Sequence, residues 1–146
     1  MRALVATTGL LLLALSAAGC GGSKKTSVFD TAGQCPPPAS TASAGNAQLD
    51  AKALGGRYAK LIVVRAKDKS NGAPVRGGHV TIHAEMTCPH VMPLYTKNLQ
   101  ETSPGTYKAG YSLVMPGQWT IYVVLRSKGG DATTSTFPVT VKAPGT

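Results

Sequence analysis

Acidic residues are scarce in this chain: 6 Asp and Glu stand against 15 Lys and Arg, which leaves a formal net charge of +9 over 146 residues. The basic residues are scattered along the sequence and do not form runs. The sequence therefore does not predict a nucleic-acid-binding protein. A positive surface attracts anionic lipids or envelope polymers, but a solvated surface of mixed lysines explains the same composition.

Enzyme motifs are also missing from the sequence. It contains no Gly-x-Ser-x-Gly elbow, no phosphate-binding glycine loop and no zinc-protease helix, and its acids are too dispersed to supply a catalytic carboxylate pair. Cys88 has a histidine nearby, but no third group that would orient a thiol nucleophile can be assigned. We therefore expect a binding module and not an enzyme.

Long hydrophobic runs are absent after the N-terminus, and the one apolar run there is short. It extends from Leu4 to Leu15 behind Arg2, whereas a membrane-spanning helix needs about 20 apolar residues. Residues 1–19 are thus predicted to be a signal peptide. The segment from Leu15 to Cys20 resembles a bacterial lipobox, in which Cys20 receives lipid. Ala17 stands where Leu is usual, so cleavage without lipidation is the alternative.

The next segment, residues 20–56, is rich in Gly, Ser, Ala, Thr, Lys and Pro. This composition buries little apolar surface, so we predict a lipidated cysteine followed by a flexible tether, locally extended at Cys35-Pro36-Pro37-Pro38. From residue 57 onwards β-branched and aromatic residues become frequent. A chain of this length has room for one small domain, which we expect over residues 57–143.

The predicted domain is all-β: a small immunoglobulin-like sandwich of two sheets with six to seven antiparallel strands. Residues 78–86 alternate most clearly, and the apolar face of this strand, which includes Met86, is expected in the core. Residues 118–126 form the strongest strand, with Trp119 facing inward. The predicted strands cover residues 58–66, 78–86, 94–102, 106–114, 118–126 and 133–142.

Soft metal ligands are concentrated in one short stretch of the domain. Met86, Cys88, His90 and Met92 lie within seven positions, and thioether, thiol and imidazole suit Cu(I) or similar ions. Met86 and Met115, each taken singly, are better explained by core packing than by metal binding. If the loop after residue 86 and the turn at Met115 lie at the same end of the sandwich, His90, Met92 and Met115 can converge on one ion.

The cysteines leave two alternatives open. Both Cys35 and Cys88 belong to an oxidising compartment if the chain is exported, which favours a disulfide between them. The disulfide would close a loop of about 53 residues, worth roughly 4 kcal/mol in the chain-entropy model. If both thiols stay free, Cys88 strengthens a soft-metal site. A thiol count on unfolded, non-reduced protein distinguishes the two.

The order of these elements resembles the YtkA-like family, which comprises small exported β-sandwich domains similar to the FixH type of accessory protein. The resemblance covers roughly residues 56–141. Three pieces carry it: a strand ending in Met86 that runs into Pro89, His90, Met92 and Pro93; the turn Pro104 to Tyr107; and Met115-Pro116-Gly117-Gln118-Trp119. Cys88 departs from the family pattern.

The resemblance implies a copper-associated or oxidase-associated protein of the cell envelope. We therefore expect a lipid-anchored module, exported to the outer membrane or cell surface, that binds copper as Cu(I) through Met86, Cys88, His90, Met92 and Met115. It would carry the ion to a membrane protein such as an oxidase or a metal transporter. The alternative is a metal-free accessory domain that docks on a membrane complex.

Overall fold

The computed structural model describes residues 39–145, and within this range all regular structure is β. The predicted signal peptide, Cys20 and Cys35 lie outside the described residues. Nine strands follow one another along the chain: β1 Thr41–Ala44, β2 Ala47–Leu54, β3 Ala59–Asp68, β4 His79–Cys88, β5 Met92–Pro93, β6 Lys97–Ser103, β7 Thr106–Ser112, β8 Gly117–Arg126 and β9 Ala132–Val141.

The strands form two antiparallel layers that enclose one core. One layer contains β1, β9, β8, β4 and β5, and the other contains β7, β3 and β2. Strand β6 joins the layers, because residues 97–99 pair with β4 and residues 100–103 pair with β7. The prediction of an all-β, immunoglobulin-like sandwich is confirmed, although nine strands exceed the six to seven expected.

Alternation of side chains along the strands builds the core. In β4 the even-numbered apolar residues are buried and the odd-numbered residues face outward, as the sequence predicts. Trp119 in β8 is fully buried and is the largest side chain of the core. The fully buried side chains include Trp119, Tyr107, Ile62, Ile82, Met86, Leu113, Ile121 and Leu125.

The prediction of a tether up to residue 56 is wrong at its C-terminal end, because β1 and β2 lie within it. Strand β2 pairs with β3 over its whole length, from Ala47 opposite Asp68 to Leu54 opposite Leu61. Its inward side chains are mostly alanine, which has a low intrinsic preference for strands. Pairing with β3, and not local propensity, therefore makes this segment a strand, and the domain begins before residue 57.

The two ends of the sandwich differ in the loops that they carry. Antiparallel pairing sets Met86 opposite Trp119 and Gly117 opposite Val141, so the end of β4, the start of β8 and the end of β9 lie together. Only residues 113–116 separate β7 from β8, so the end of β7, in the layer formed with β3 and β2, lies beside the start of β8. We call this the methionine end. Its loops are residues 55–58, 89–91 and 113–116, followed by residues 142–145 after β9.

Candidate metal centre

Two of the methionines face each other across a strand pair. Met86 in β4 is the direct partner of Met92 in β5. Residues that pair directly in an antiparallel ladder have Cβ atoms roughly 4.5–5.5 Å apart and share one face of the sheet. Met92 therefore lies on the core side, half-buried against the core, beside the fully buried Met86. Met92 therefore has a packing role as well as a soft sulfur.

The turn before β8 brings the third methionine to the same end. The Trp119 Nε1–H donates to the Met115 carbonyl oxygen at 3.1 Å, which holds the turn over the buried indole. Gly117 lies so close to β4 that an added Cβ would be 3.4 Å from Met86 Sδ and 2.7 Å from the Cys88 carbonyl oxygen. Met115 itself is half-buried and packs against the core. The condition for a composite site, that both segments share one end, is therefore met.

His90 lies on the loop between β4 and β5, at the methionine end. Its side chain is exposed, and its neighbour Val91 is 84% exposed. The peptide bond between Cys88 and Pro89, immediately before His90, is cis. The exposed imidazole of His90 therefore lies two residues before the half-buried Met92 in the chain.

Cys88 is disulfide-bonded, so its sulfur is not a thiolate that could bind a metal. The other two cysteines, Cys20 and Cys35, both precede the described residues. The pairing of Cys88 with Cys35 stays a prediction. Oxidation takes Cys88 out of the ligand set and leaves His90 and the methionine thioethers.

The composition of this cluster limits the metals that it suits. Within residues 39–145, no group of three or more His, Cys, Asp and Glu side chains is arranged to hold a metal ion. Hard cations such as Ca²⁺ and Mg²⁺ require oxygen ligands. The donors gathered at the methionine end are instead soft thioethers with one imidazole, which favour Cu(I).

A second cluster, which the sequence reasoning missed, lies on the outer face of β4 and β8. The rings of His83 and Tyr122 are stacked, with centroids 4.5 Å apart and an interplanar angle of 1°. Glu85 Oε1 lies 3.8 Å from His83 Nε2. Burial raises the pKa of Tyr122, and the nearby Glu85 carboxylate raises it further. The alternation of β4 predicts that His83 and Glu85 face outward. It does not show which strand pairs with β4, so Tyr122 could not be identified from the sequence.

Within the described part of the chain, no helix is both long enough and apolar enough to cross a membrane. Two antiparallel layers that enclose one core define an immunoglobulin-like β-sandwich, and three methionines lie at one of its ends. Residues 49–124 match the model of the YtkA-like family, from within β2 to within β8, and the protein belongs to that family. The resemblance read from the sequence is thereby confirmed. No curated protein matches the sequence.

Several solved structures are similar to this chain at low identity. The soluble domain of PmoD from Methylocystis sp. ATCC 49242 is 10% identical with a TM-score of 0.46, and the match covers 66% of this chain and 92% of that one. The PKD1 domain of Vibrio anguillarum Epp is 11% identical with a TM-score of 0.40, covering 73% and 100%. An immunoglobulin-like β-sandwich protein of Bacteroides vulgatus is 12% identical with a TM-score of 0.32, covering 66% and 99%.

Proposed function

We propose that this protein is a lipid-anchored domain of the cell envelope that binds Cu(I) at its methionine end and passes it to a membrane protein, such as an oxidase or a metal transporter. The observation that carries the proposal is the gathering of Met86, Met92 and Met115 at one end of the sandwich, beside the exposed His90. The implied copper association of the YtkA-like family points the same way.

Burial assigns different roles to the members of the cluster. Met86 is fully buried in the core, so it supports the site from behind. Met92 and Met115 are half-buried and can present sulfur to an ion at the surface, and His90 can close the site from solvent. Thioethers, unlike a thiol, need no deprotonation before they bind a metal. The proposed ligands are therefore His90, Met92 and Met115.

Anaerobic titration with Cu(I) against a competing chelator tests the ligand set. The double variant His90→Ala with Met92→Leu is expected to weaken binding at least roughly tenfold, because each lost soft ligand removes more than about 1 kcal/mol of binding energy. Leu preserves the volume of Met, so the fold is retained. Met115→Leu removes one ligand and should weaken binding by roughly fivefold or more, and Met86→Leu should change it little.

His79→Ala is the matched control. His79 is exposed like His90, but it lies at the start of β4, opposite Arg126 and away from the methionine end. It should leave the affinity for Cu(I) unchanged. If wild-type protein binds no Cu(I), or if the ligand variants bind as well as wild type, the metal proposal is wrong. The alternative is then the metal-free accessory domain that docks on a membrane complex.

The lipid anchor is tested separately from the metal. Cys20 lies outside the described residues, and its role rests on the lipobox-like sequence before it. The protein recovered from membranes is expected to carry the mass of a diacylglyceryl group and to accumulate unprocessed when globomycin blocks the lipoprotein peptidase. Recovery of an unmodified, soluble product from wild-type cells would contradict the proposal, and Cys20→Ala provides the unlipidated reference.

A further inference from the structure

Large apolar side chains that remain exposed are concentrated towards the methionine end. Val91 is 84% exposed on the loop after β4, and Val114 is 55% exposed on the turn before β8. Leu54 and Leu61, 44% and 42% exposed, form the last rung of the β2–β3 hairpin. The fifth such residue, Tyr95, is 50% exposed, and its hydroxyl accepts a hydrogen bond from the Ser112 N–H at the end of β7. Exposed apolar side chains scattered singly over a surface are normal, but their concentration at one end of a domain can mark an interaction surface.

Three basic residues lie at the same end, and the loops described there contain no carboxylate side chain. Arg57, Lys60 and Lys142 line a groove between the β2–β3 loop and the end of β9, with a volume of about 370 Å³. None of the three forms an ion pair with another residue of the described range. The loops 55–58, 89–91 and 113–116 and the residues 142–145 contain no Asp or Glu.

The opposite end of the sandwich has a different electrostatic character. Glu101 accepts hydrogen bonds from the backbone N–H groups of Gly105 and Gly77, which lower its pKa, and the nearby Arg76 and Lys128 lower it further. Asp68 and Asp131 also lie at that end, at the end of β3 and just before β9. Basic residues also lie there, but three carboxylates accompany them, whereas the loops of the methionine end contain none.

We propose that the methionine end rests on the surface of an anionic lipid bilayer. Val91 and Val114 are on separate loop tips, and a bilayer accepts such side chains individually, whereas a protein partner needs a continuous complementary surface. Tyrosine is favoured at the headgroup level, and Lys and Arg next to inserted apolar residues attract anionic lipids. The inference requires neither the metal nor the lipid on Cys20, so it can be tested without them.

Vesicle binding by residues 21–146, secreted behind a cleavable leader so that the Cys88 disulfide forms, tests the proposal. The nine strands of residues 39–145 and the core that they enclose lie within this part of the chain. The protein is expected to sediment with vesicles of phosphatidylglycerol and phosphatidylcholine, less so as salt increases, and not with phosphatidylcholine alone. The apolar variant Val91→Ser with Val114→Ser, which keeps the net charge, should bind roughly tenfold more weakly because two inserted side chains are lost.

Two charge-reversal variants separate a specific surface from the general positive charge. Arg57→Glu with Lys142→Glu is expected to weaken binding by roughly tenfold or more, since each basic residue near the surface contributes about 1 kcal/mol. Lys69→Glu with Arg126→Glu makes the same change in net charge at the opposite end and should change binding by less than about twofold. Circular dichroism checks that each variant is folded.

Three results would overturn the proposal. If the wild-type protein does not sediment with anionic vesicles, the methionine end does not bind a bilayer. An equal loss of binding in the two charge-reversal variants would mean that diffuse charge, and not this surface, holds the protein. Concentration-dependent dimerisation that disappears in the Val91→Ser with Val114→Ser variant would assign the surface to a second copy of the chain.

Discussion

Replacing Trp119 with Ala is expected to lower the free energy of unfolding by about 3–5 kcal/mol, the range for removing a large aromatic side chain from a core. Trp119 is fully buried, and its indole N–H donates to the Met115 carbonyl oxygen at 3.1 Å. A small domain has a total stability of only about 5–15 kcal/mol, so the variant should be close to unfolding. Urea denaturation followed by far-UV circular dichroism measures the change without relying on the only tryptophan of the chain.

Trp119→Phe separates the two contributions of this side chain. Phe retains most of the apolar volume but leaves the carbonyl of Met115 without its donor, which costs about 1–3 kcal/mol if the carbonyl stays buried. The Phe variant should therefore fall between wild type and Trp119→Ala. A loss below about 1 kcal/mol for Trp119→Ala would show that the indole does not organise the core at the methionine end.

Gly117→Ala is the second substitution with a large expected effect, a loss of about 2–4 kcal/mol. Gly117 has a φ of +148°, a conformation that costs other residues of order 1–3 kcal/mol. The added methyl group would also lie 2.7 Å from the Cys88 carbonyl oxygen and 3.2 Å from Met86 Cε, so β4 and β8 must separate locally. The same denaturation experiment measures the loss.

Gly110→Ala in β7 is the matched control for this prediction. An added Cβ there meets no atom within 4 Å, and Gly110 does not have a positive φ. Ala in place of a glycine with ordinary backbone angles stabilises by about 0.4–1 kcal/mol, because it restricts the unfolded chain. If Gly117→Ala were as stable as Gly110→Ala, the close approach of the β8 turn to Met86 would be wrong, and the composite metal site would lose its support.

The metal and membrane proposals concern the same end of the molecule and have a joint consequence. If the methionine end lies on the bilayer, Met92, Met115 and His90 are turned towards the side where a membrane protein takes up a metal. The two proposals can nevertheless fail independently, since the vesicle experiment contains no copper and the Cu(I) titration contains no lipid. A protein that binds vesicles but not Cu(I) would support the accessory-domain alternative at this surface.

Much of the fold could be read from the sequence because burial on one face imposes a period of two on a strand. The alternation over residues 78–86 correctly placed Met86 in the core, and the apolar row that includes Trp119 correctly marked a central strand. Strand β2 also alternates, with Ala47, Leu49, Ala51 and Ala53 on one face, but alanine contributes too weak a signal. Its pairing with β3 is a long-range interaction that local pattern does not contain.

The sequence predicts the residue types of the candidate metal site, but the arrangement of those residues depends on how distant strands pair. Residue type alone nominated His90, Met92 and Met115 as soft ligands, because thioether and imidazole chemistry does not depend on the fold. Their meeting at one end depends on the antiparallel register that sets Met86 opposite both Met92 and Trp119, and on the close turn at Gly117. Register is fixed by contacts between residues far apart in the chain, so it emerges only when the strands pair. The same pairing collects Val91, Val114 and Arg57 from three separate loops, and for that reason the surface proposed to meet the bilayer had no counterpart in the linear sequence.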